Sequence, residues 1–290
     1  MAILRNALRS FIVPFRLTAV QGDEPAGLGA NTGFASANTE ESLACYNAAD
    51  WKLIWVDEFD QPGLPNPEKW DYEVGLVRNA EPQFYTKARP ENITVADSQL
   101  VITARKEPWE GADYTSASLT TLGKFAFTYG KVEIRAKVPA GRGIWPALWT
   151  LGSEMPKVNW PKCGEIDLME FIGVTPDQVY FNVHTGAFNH VTQSGKGTHV
   201  VVKDMWREFH TYGLVWGPKK MEWFFDGRPV FAFENDGQGV DHWPFDLPQY
   251  LLVNLAMGGS WAGEKGIDDA LFPAEFRVDY VRIWQRPTEV

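Results

Sequence analysis

Between residues 131 and 138 apolar and charged positions alternate without a break. Val132, Ile134, Ala136 and Val138 fall on one face and Lys131, Glu133, Arg135 and Lys137 on the other, the period-two pattern of a strand with one buried side. Residues 221–225 (MEWFF) and 228–233 (RPVFAF) flank Asp226-Gly227. That dipeptide accepts the positive φ angles of a tight primed turn, so the segment predicts a hairpin. Similar strand-like runs occur at 52–56, 99–104, 115–121, 179–185, 209–216, 249–257 and 275–285. Long segments of helical period are absent, and no repeat of fixed length marks a propeller or solenoid. Many short antiparallel strands within roughly 230 residues predict an all-β fold, a jelly-roll β-sandwich of two antiparallel sheets.

The pattern fades before Trp51. Residues 1–20 combine a basic start with an apolar patch that Pro14 and Arg16 interrupt, an imperfect secretion signal. Residues 21–48 are rich in Gly, Ala, Ser and Asn and poor in large apolar side chains, the composition of a flexible lead-in. The expected organisation is therefore a tail over 1–48 and one domain over 49–290, acting outside the cell as a monomer.

A formal net charge of −10 argues against nucleic acid or an anionic membrane surface as partner, since both call for a basic patch. No apolar run reaches the 18 or more residues of a membrane span. Neutral ligands stay open. Thirteen tryptophans exceed what a core needs of large rings with an N–H to satisfy, so some are expected to line a groove.

The segment WPKCGEIDLMEFIG, residues 160–173, sets Glu165, Asp167 and Glu170 among apolar residues. A chain of this composition holds about 0.6 such acid spacings by chance, so the spacing alone says little. Its setting says more. Ile166, Leu168, Met169, Phe171 and Ile172 make the segment strand-like and apolar on both sides, and charges in such a strand are costly. In a regular strand Glu165 and Asp167 share a face and Glu170 points to the other. One extra residue at Leu168-Met169 predicts a bulge that returns Glu170 to their side. Glu165 and Glu170 then lie roughly 13 Å apart at Cα, and their side chains can converge to about 5–5.5 Å, the separation used for retaining glycoside hydrolysis. Buried carboxyls so close spread their pKa values, as acid–base work requires.

This segment resembles the signature of glycoside hydrolase family 16, in particular its laminarinase-like members with the extra residue before the last Glu. WVDEFD at 55–60, NAEPQFY at 79–85, GRGIWPALW at 141–149, VHT at 183–185, NLAMGGSW at 254–261 and FRVDYVRIW at 276–284 carry the resemblance along most of residues 51–285, in the family's order. It implies a concave cleft that takes a β-glucan polysaccharide and cuts internal β-1,3 bonds. Glu165 would be the nucleophile, Glu170 the acid/base, and Asp167 the group that orients Glu165. Mixed-linkage glucan, galactan, glycosyl transfer and a non-catalytic β-glucan-binding module are the rival readings; such modules typically lose the two glutamates present here.

By the same resemblance Trp145, Trp149, Trp160 and Trp261 would line the cleft, since pyranose C–H faces stack on indole. His184 would stand on the acid/base side, bonding substrate or Glu170, and Asn79 and Arg142 would donate to sugar hydroxyls. Asn79, Glu81, Gln83 and Tyr85 alternate, so they are expected to share a face. No cofactor is implied for catalysis. Glu58 and Asp279 match positions where many members hold a structural calcium, for which hard oxygen ligands are suited. Cys163 reads as a structural thiol, with pairing to Cys45 left open. Asn92-Ile-Thr94 is a glycan acceptor if a eukaryote secretes the chain. His-Glu-x-x-His, Gly-x-Ser-x-Gly and phosphate-loop motifs do not occur.

Overall fold

The computed structural model describes residues 39–287 apart from Pro156, so the secretion signal expected over 1–20 lies outside the described residues. Helix α1 spans Thr39–Tyr46 and α2 Gly259–Ala262. The strands are β1 (Lys52–Asp57), β2 (Asp71–Tyr72), β3 (Gln83–Tyr85), β4 (Ile93–Ala96), β5 (Gln99–Trp109), β6 (Ala112–Ser116), β7 (Ser118–Thr120) and β8 (Gly130–Lys137). They continue as β9 (Ile144–Gly152), β10 (Glu165–Glu170), β11 (Gln178–His184), β12 (Lys196–Val201), β13 (His210–Trp216), β14 (Lys220–Phe225), β15 (Arg228–Glu234), β16 (Gln249–Met257) and β17 (Ala274–Gln285).

Two sheets form a sandwich. One runs β12-β11-β10-β9-β16-β7-β2; the other runs β15-β14-β13-β8-β17-β5-β6-β3, with β1 added on β17 and β4 on β5. The pairing is antiparallel except between β3 and β6. The expected alternation holds in β8, where Val132, Ile134 and Ala136 are fully buried. The hairpin also forms, with Asp226 at φ 48° and Gly227 at φ 71° between Phe225 and Arg228. The inner faces of both sheets supply one apolar core, which includes the fully enclosed Trp70, Trp216 and Trp223. Each aliphatic or phenyl side chain so enclosed contributes about 1.5–3 kcal/mol.

Residues 39–48 differ from the flexible lead-in that their composition predicts. Helix α1 lies on the outer face of the second sheet, where Tyr46 stacks on Phe224 with ring centroids 4.3 Å apart. Ser42 donates to Glu222 and Tyr46 to Glu133. A helix this short buries little apolar surface of its own, so its sequence carries no apolar stripe to mark it; two side chains on one face hold it. Its cover explains why β14 is buried from Met221 to Phe225 on both sides.

Candidate active site

β10 departs from regular pairing where the sequence predicts. Against β9, Asp167 faces Trp149 and Met169 faces Leu148, and against β11, Asp167 faces Asn182 and Glu170 faces Tyr180. One surplus residue is thus absorbed at Leu168-Met169, and both side chains enter the core together with Ile166 and Phe171. Glu165, Asp167 and Glu170 are left on the outer face. A bulge frees a backbone carbonyl that must find a donor. Here Trp223, reaching across the core from β14, donates its Nε1–H to the Asp167 carbonyl at 2.9 Å.

Each acid has a distinct setting. Glu165 accepts from Trp160 Nε1 at 2.7 Å through Oε2, and its Oε1 lies 3.9 Å from His184 Nε2. Glu170 accepts from Trp145 Nε1 at 3.1 Å and Asn182 Nδ2 at 2.8 Å. Burial pushes the Glu170 carboxyl above its ordinary range and Glu165 adds to that, while His184 and the two donors pull it back. Asp167 is driven well above the carboxylate range, by burial first and then by the charges of Glu165 and Glu170. Its Oδ2 is buried and without a hydrogen-bond partner among the described residues, and the neighbouring Glu165 carboxyl adds to the upward shift. Two carboxylates in such contact do not both ionise.

β11 presents Tyr180, Asn182 and His184 opposite Glu170, Asp167 and Glu165. His184 therefore stands beside the first two acids, with Nε2 3.4 Å from Asp167 Oδ2. Of the two expected partners of His184, substrate or Glu170, the second is taken up by Asn182, which the β11 register brings to Glu170. Glu165, Asp167 and His184 bring ligand atoms within 4.8 Å of one another, the one such group among the described residues that could hold a divalent metal. Two of them, Glu165 and Asp167, are also acids of the site.

The four expected rings all reach the outer face, in two groups. Trp145 meets Trp261 edge-on at 5.5 Å, and Trp261 meets Tyr180 at 4.9 Å, which builds a wall at the Glu170 end. Trp160 packs on His190 at 5.1 Å and His184 at 5.8 Å at the Glu165 end. Trp149 is 7% exposed beneath the Arg78 guanidinium, 4.8 Å from its ring, and donates to Asn254 Oδ1 at 2.7 Å. Trp160 and Trp261 keep partly open rings.

Asn79, Glu81, Gln83 and Tyr85 do share a face. Glu81 accepts from Asn79 (3.1 Å), Gln83 (2.7 Å) and Tyr85 (3.3 Å), and Tyr85 accepts from Asn254 at 3.0 Å. A polar chain thus runs from the exposed Asn79 to Trp149 on the cleft floor. Arg142 is exposed in the turn before β9, its backbone carbonyl accepting from Asp268 N at 3.1 Å. Glu58 directly follows β1, and Asp279 lies within β17, both on the other sheet's side of the sandwich. Glu58 accepts from Arg282 Nε and Nη2 at 2.7 and 2.9 Å, and Asp279 from Arg135 Nη1 at 2.5 Å. As arranged, each side chain is the ion-pair partner of an arginine.

Cys45 and Cys163 are both free thiols. Burial and the neighbouring Glu165 push Cys163 up to about 11, which leaves it an inert thiol near neutral pH. Asn92 is fully buried, its amide donating to Thr103 O and Thr115 Oγ1, so a glycan cannot be attached there. Sequence reasoning missed Asn182 and the indole bonds to Glu165 and Glu170. The alternation of Tyr180, Asn182 and His184 was the available signal for the first; the indole bonds depend on cross-strand register, which no local pattern reports.

A sequence profile of Glycosyl hydrolases family 16 matches residues 80–282. A Beta-glucanase of Rhodothermus marinus is 47% identical over 247 residues, covering 82% of this chain and 86% of that one. The X-ray structure of the laminarinase from Rhodothermus marinus superposes with a TM-score of 0.80 at 45% identity, covering 81% of this chain and 98% of that one. A non-specific endo-beta-1,3(4)-glucanase of the same family superposes with a TM-score of 0.78 at 42% identity, covering 82% and 92%.

Proposed function

This chain belongs to glycosyl hydrolases family 16, and from that premise we propose that it is an endo-acting hydrolase of internal β-1,3-glucosidic bonds in laminarin-type β-glucans. The reaction is a double displacement with net retention. The observation that carries this reading is the bulge in β10, which puts Glu165, Asp167 and Glu170 on one face in three different settings.

Glu165, oriented by the Trp160 N–H and by the proton shared with Asp167, attacks the anomeric carbon. Glu170, held protonated by burial, gives its proton to the departing glycosidic oxygen as the C–O bond breaks. The glycosyl–Glu165 ester is then cleaved by water, whose proton returns to Glu170. Asp167 changes partners in the proton balance without forming a bond to sugar. Trp160 and Trp261 offer ring faces on either side of the acids, and Asn79 and Arg142 offer donors further out. The names of the similar proteins support β-glucan as the substrate class.

The polymer is too large to enter a cell, which supports extracellular action, and no helix among the described residues is long and apolar enough to cross a membrane. All three acids come from one strand of one chain, which supports a monomer as the working unit. The test is reducing-sugar release from laminarin by Glu165→Gln, with mixed-linkage glucan and galactan as comparison substrates. Loss of roughly 10³-fold or more is expected for removal of a covalent nucleophile; undiminished hydrolysis by a folded variant overturns the reading.

A further inference from the structure

Asn182 of β11 faces Asp167 on one side and Gly197 of β12 on the other. Its amide is engaged at both ends. Nδ2 donates to Glu170 Oε2 at 2.8 Å, while Oδ1 packs against Gly197. A Cβ on Gly197 would stand 2.0 Å from Asn182 Oδ1 and 2.6 Å from the Phe181 carbonyl oxygen. Gly197 does not have the left-handed φ that favours glycine, so conformation does not explain a glycine here; space does. A strand interior is a poor place for glycine, which has no side chain to pack and usually marks the close approach of another group. β12 is the outermost strand of its sheet, and at Gly197 it leaves room for the amide.

We infer that Gly197 and Asn182 act as a positioning pair, in which the missing side chain on the edge strand seats the amide and the amide fixes the Glu170 carboxyl for proton delivery and recovery. The inference rests on the reading of Glu170 as acid/base. With Trp145 holding Oε1 and Asn182 holding Oε2, the carboxyl plane is pinned by donors from two different strands. A donor to a carboxyl favours its ionised form. Losing one therefore moves the loss of the Glu170 proton to higher pH and leaves the group free to turn. The other titratable groups facing Glu170 are Glu165 and Asp167 on its own strand and His184 and Tyr180 on β11, with His199 of β12 behind Tyr180 at 5.6 Å between rings. All of these are unchanged by substitution at 182 or 197.

The experiment is the pH dependence of kcat/KM on laminarin for the full chain, for Asn182→Ala, for Gly197→Ala and for the double variant, with Glu170→Gln as reference. Asn182→Ala is expected to lower kcat roughly 10-fold, the scale of impaired general acid–base catalysis, with KM little changed and the basic limb moved to higher pH. Gly197→Ala is expected to move kcat and the limb the same way, and to add nothing in the Asn182→Ala background. An unmoved limb in Asn182→Ala overturns the inference, as does a full additional loss from Gly197→Ala when Asn182 is already absent. Asn182→Ala leaves the β12 backbone untouched, so it decides the matter if Gly197→Ala fails to fold. Undiminished hydrolysis by Glu170→Gln would instead overturn the acid/base assignment itself.

Discussion

Among the side chains of the site, Asp167 carries the largest electrostatic conflict. In the unfolded chain its carboxyl titrates near 3.9, whereas burial and two flanking glutamates raise it far above that in the fold. Between those values the folded state binds the extra proton, so stability is fully present below about pH 4 and is lost as pH rises through the folded value. Asn has no proton to lose. Asp167→Asn is therefore expected to gain melting temperature relative to the parent chain as pH rises from about 5 to 8, even as it impairs hydrolysis. Melting curves across that range check this, and a constant gap contradicts it. Trp160 poses a simpler question, because one indole N–H meets Glu165 at 2.7 Å. Hydrogen bonds to charged groups contribute about 1.5–3 kcal/mol. Trp160→Phe keeps an aromatic ring and removes the donor, so kcat/KM on laminarin should fall by about 10-fold or more and the melting temperature by several degrees. An unaltered kcat/KM would show that the indole only packs.

The bulged strand couples the acids to the core. Leu168 and Met169 both point inward, and the extra inward residue is what keeps Glu170 outward. Deleting Met169 restores simple alternation with all three acids still on the outer face, at the cost of a filled core site, about 2–5 kcal/mol. The deletion variant is thus expected to melt at lower temperature yet retain measurable laminarin hydrolysis; a folded variant with no activity would contradict the alternation argument. This element was legible in the sequence because the uneven spacing of Glu165, Asp167 and Glu170 conflicts with period two, and only a bulge reconciles it with an apolar strand. Trp223 was not legible as its supporting donor, since the carbonyl it serves lies 56 residues away in the chain. Which acids His184 meets was not legible for a related reason: local pattern puts it on a strand, but the register of β11 against β10 decides its neighbours.

At the scale of the whole molecule, period-two patterns and one turn dipeptide were enough to anticipate two packed sheets, because each strand needs a buried face and the sequence offers no long segment of helical period to cover it. Helix α1 escaped notice because its hold on the fold comes from Ser42 and Tyr46 rather than from an apolar stripe. The arginine partners of Glu58 and Asp279 were likewise not legible, because Arg282 and Arg135 reach them through the strand pairing of the second sheet and not through a local pattern. The sandwich presents the acids of β10 between a Trp160 wall and a Trp145–Trp261 wall, so a polymer lying along that face brings one scissile bond to both Glu165 and Glu170. The proton NMR spectrum of the reducing end first released from laminarin tests this arrangement most directly. Two displacements, one by Glu165 and one by water, predict that the β-anomer appears first and the α-anomer grows in only by mutarotation; initial release of the α-anomer would contradict the account.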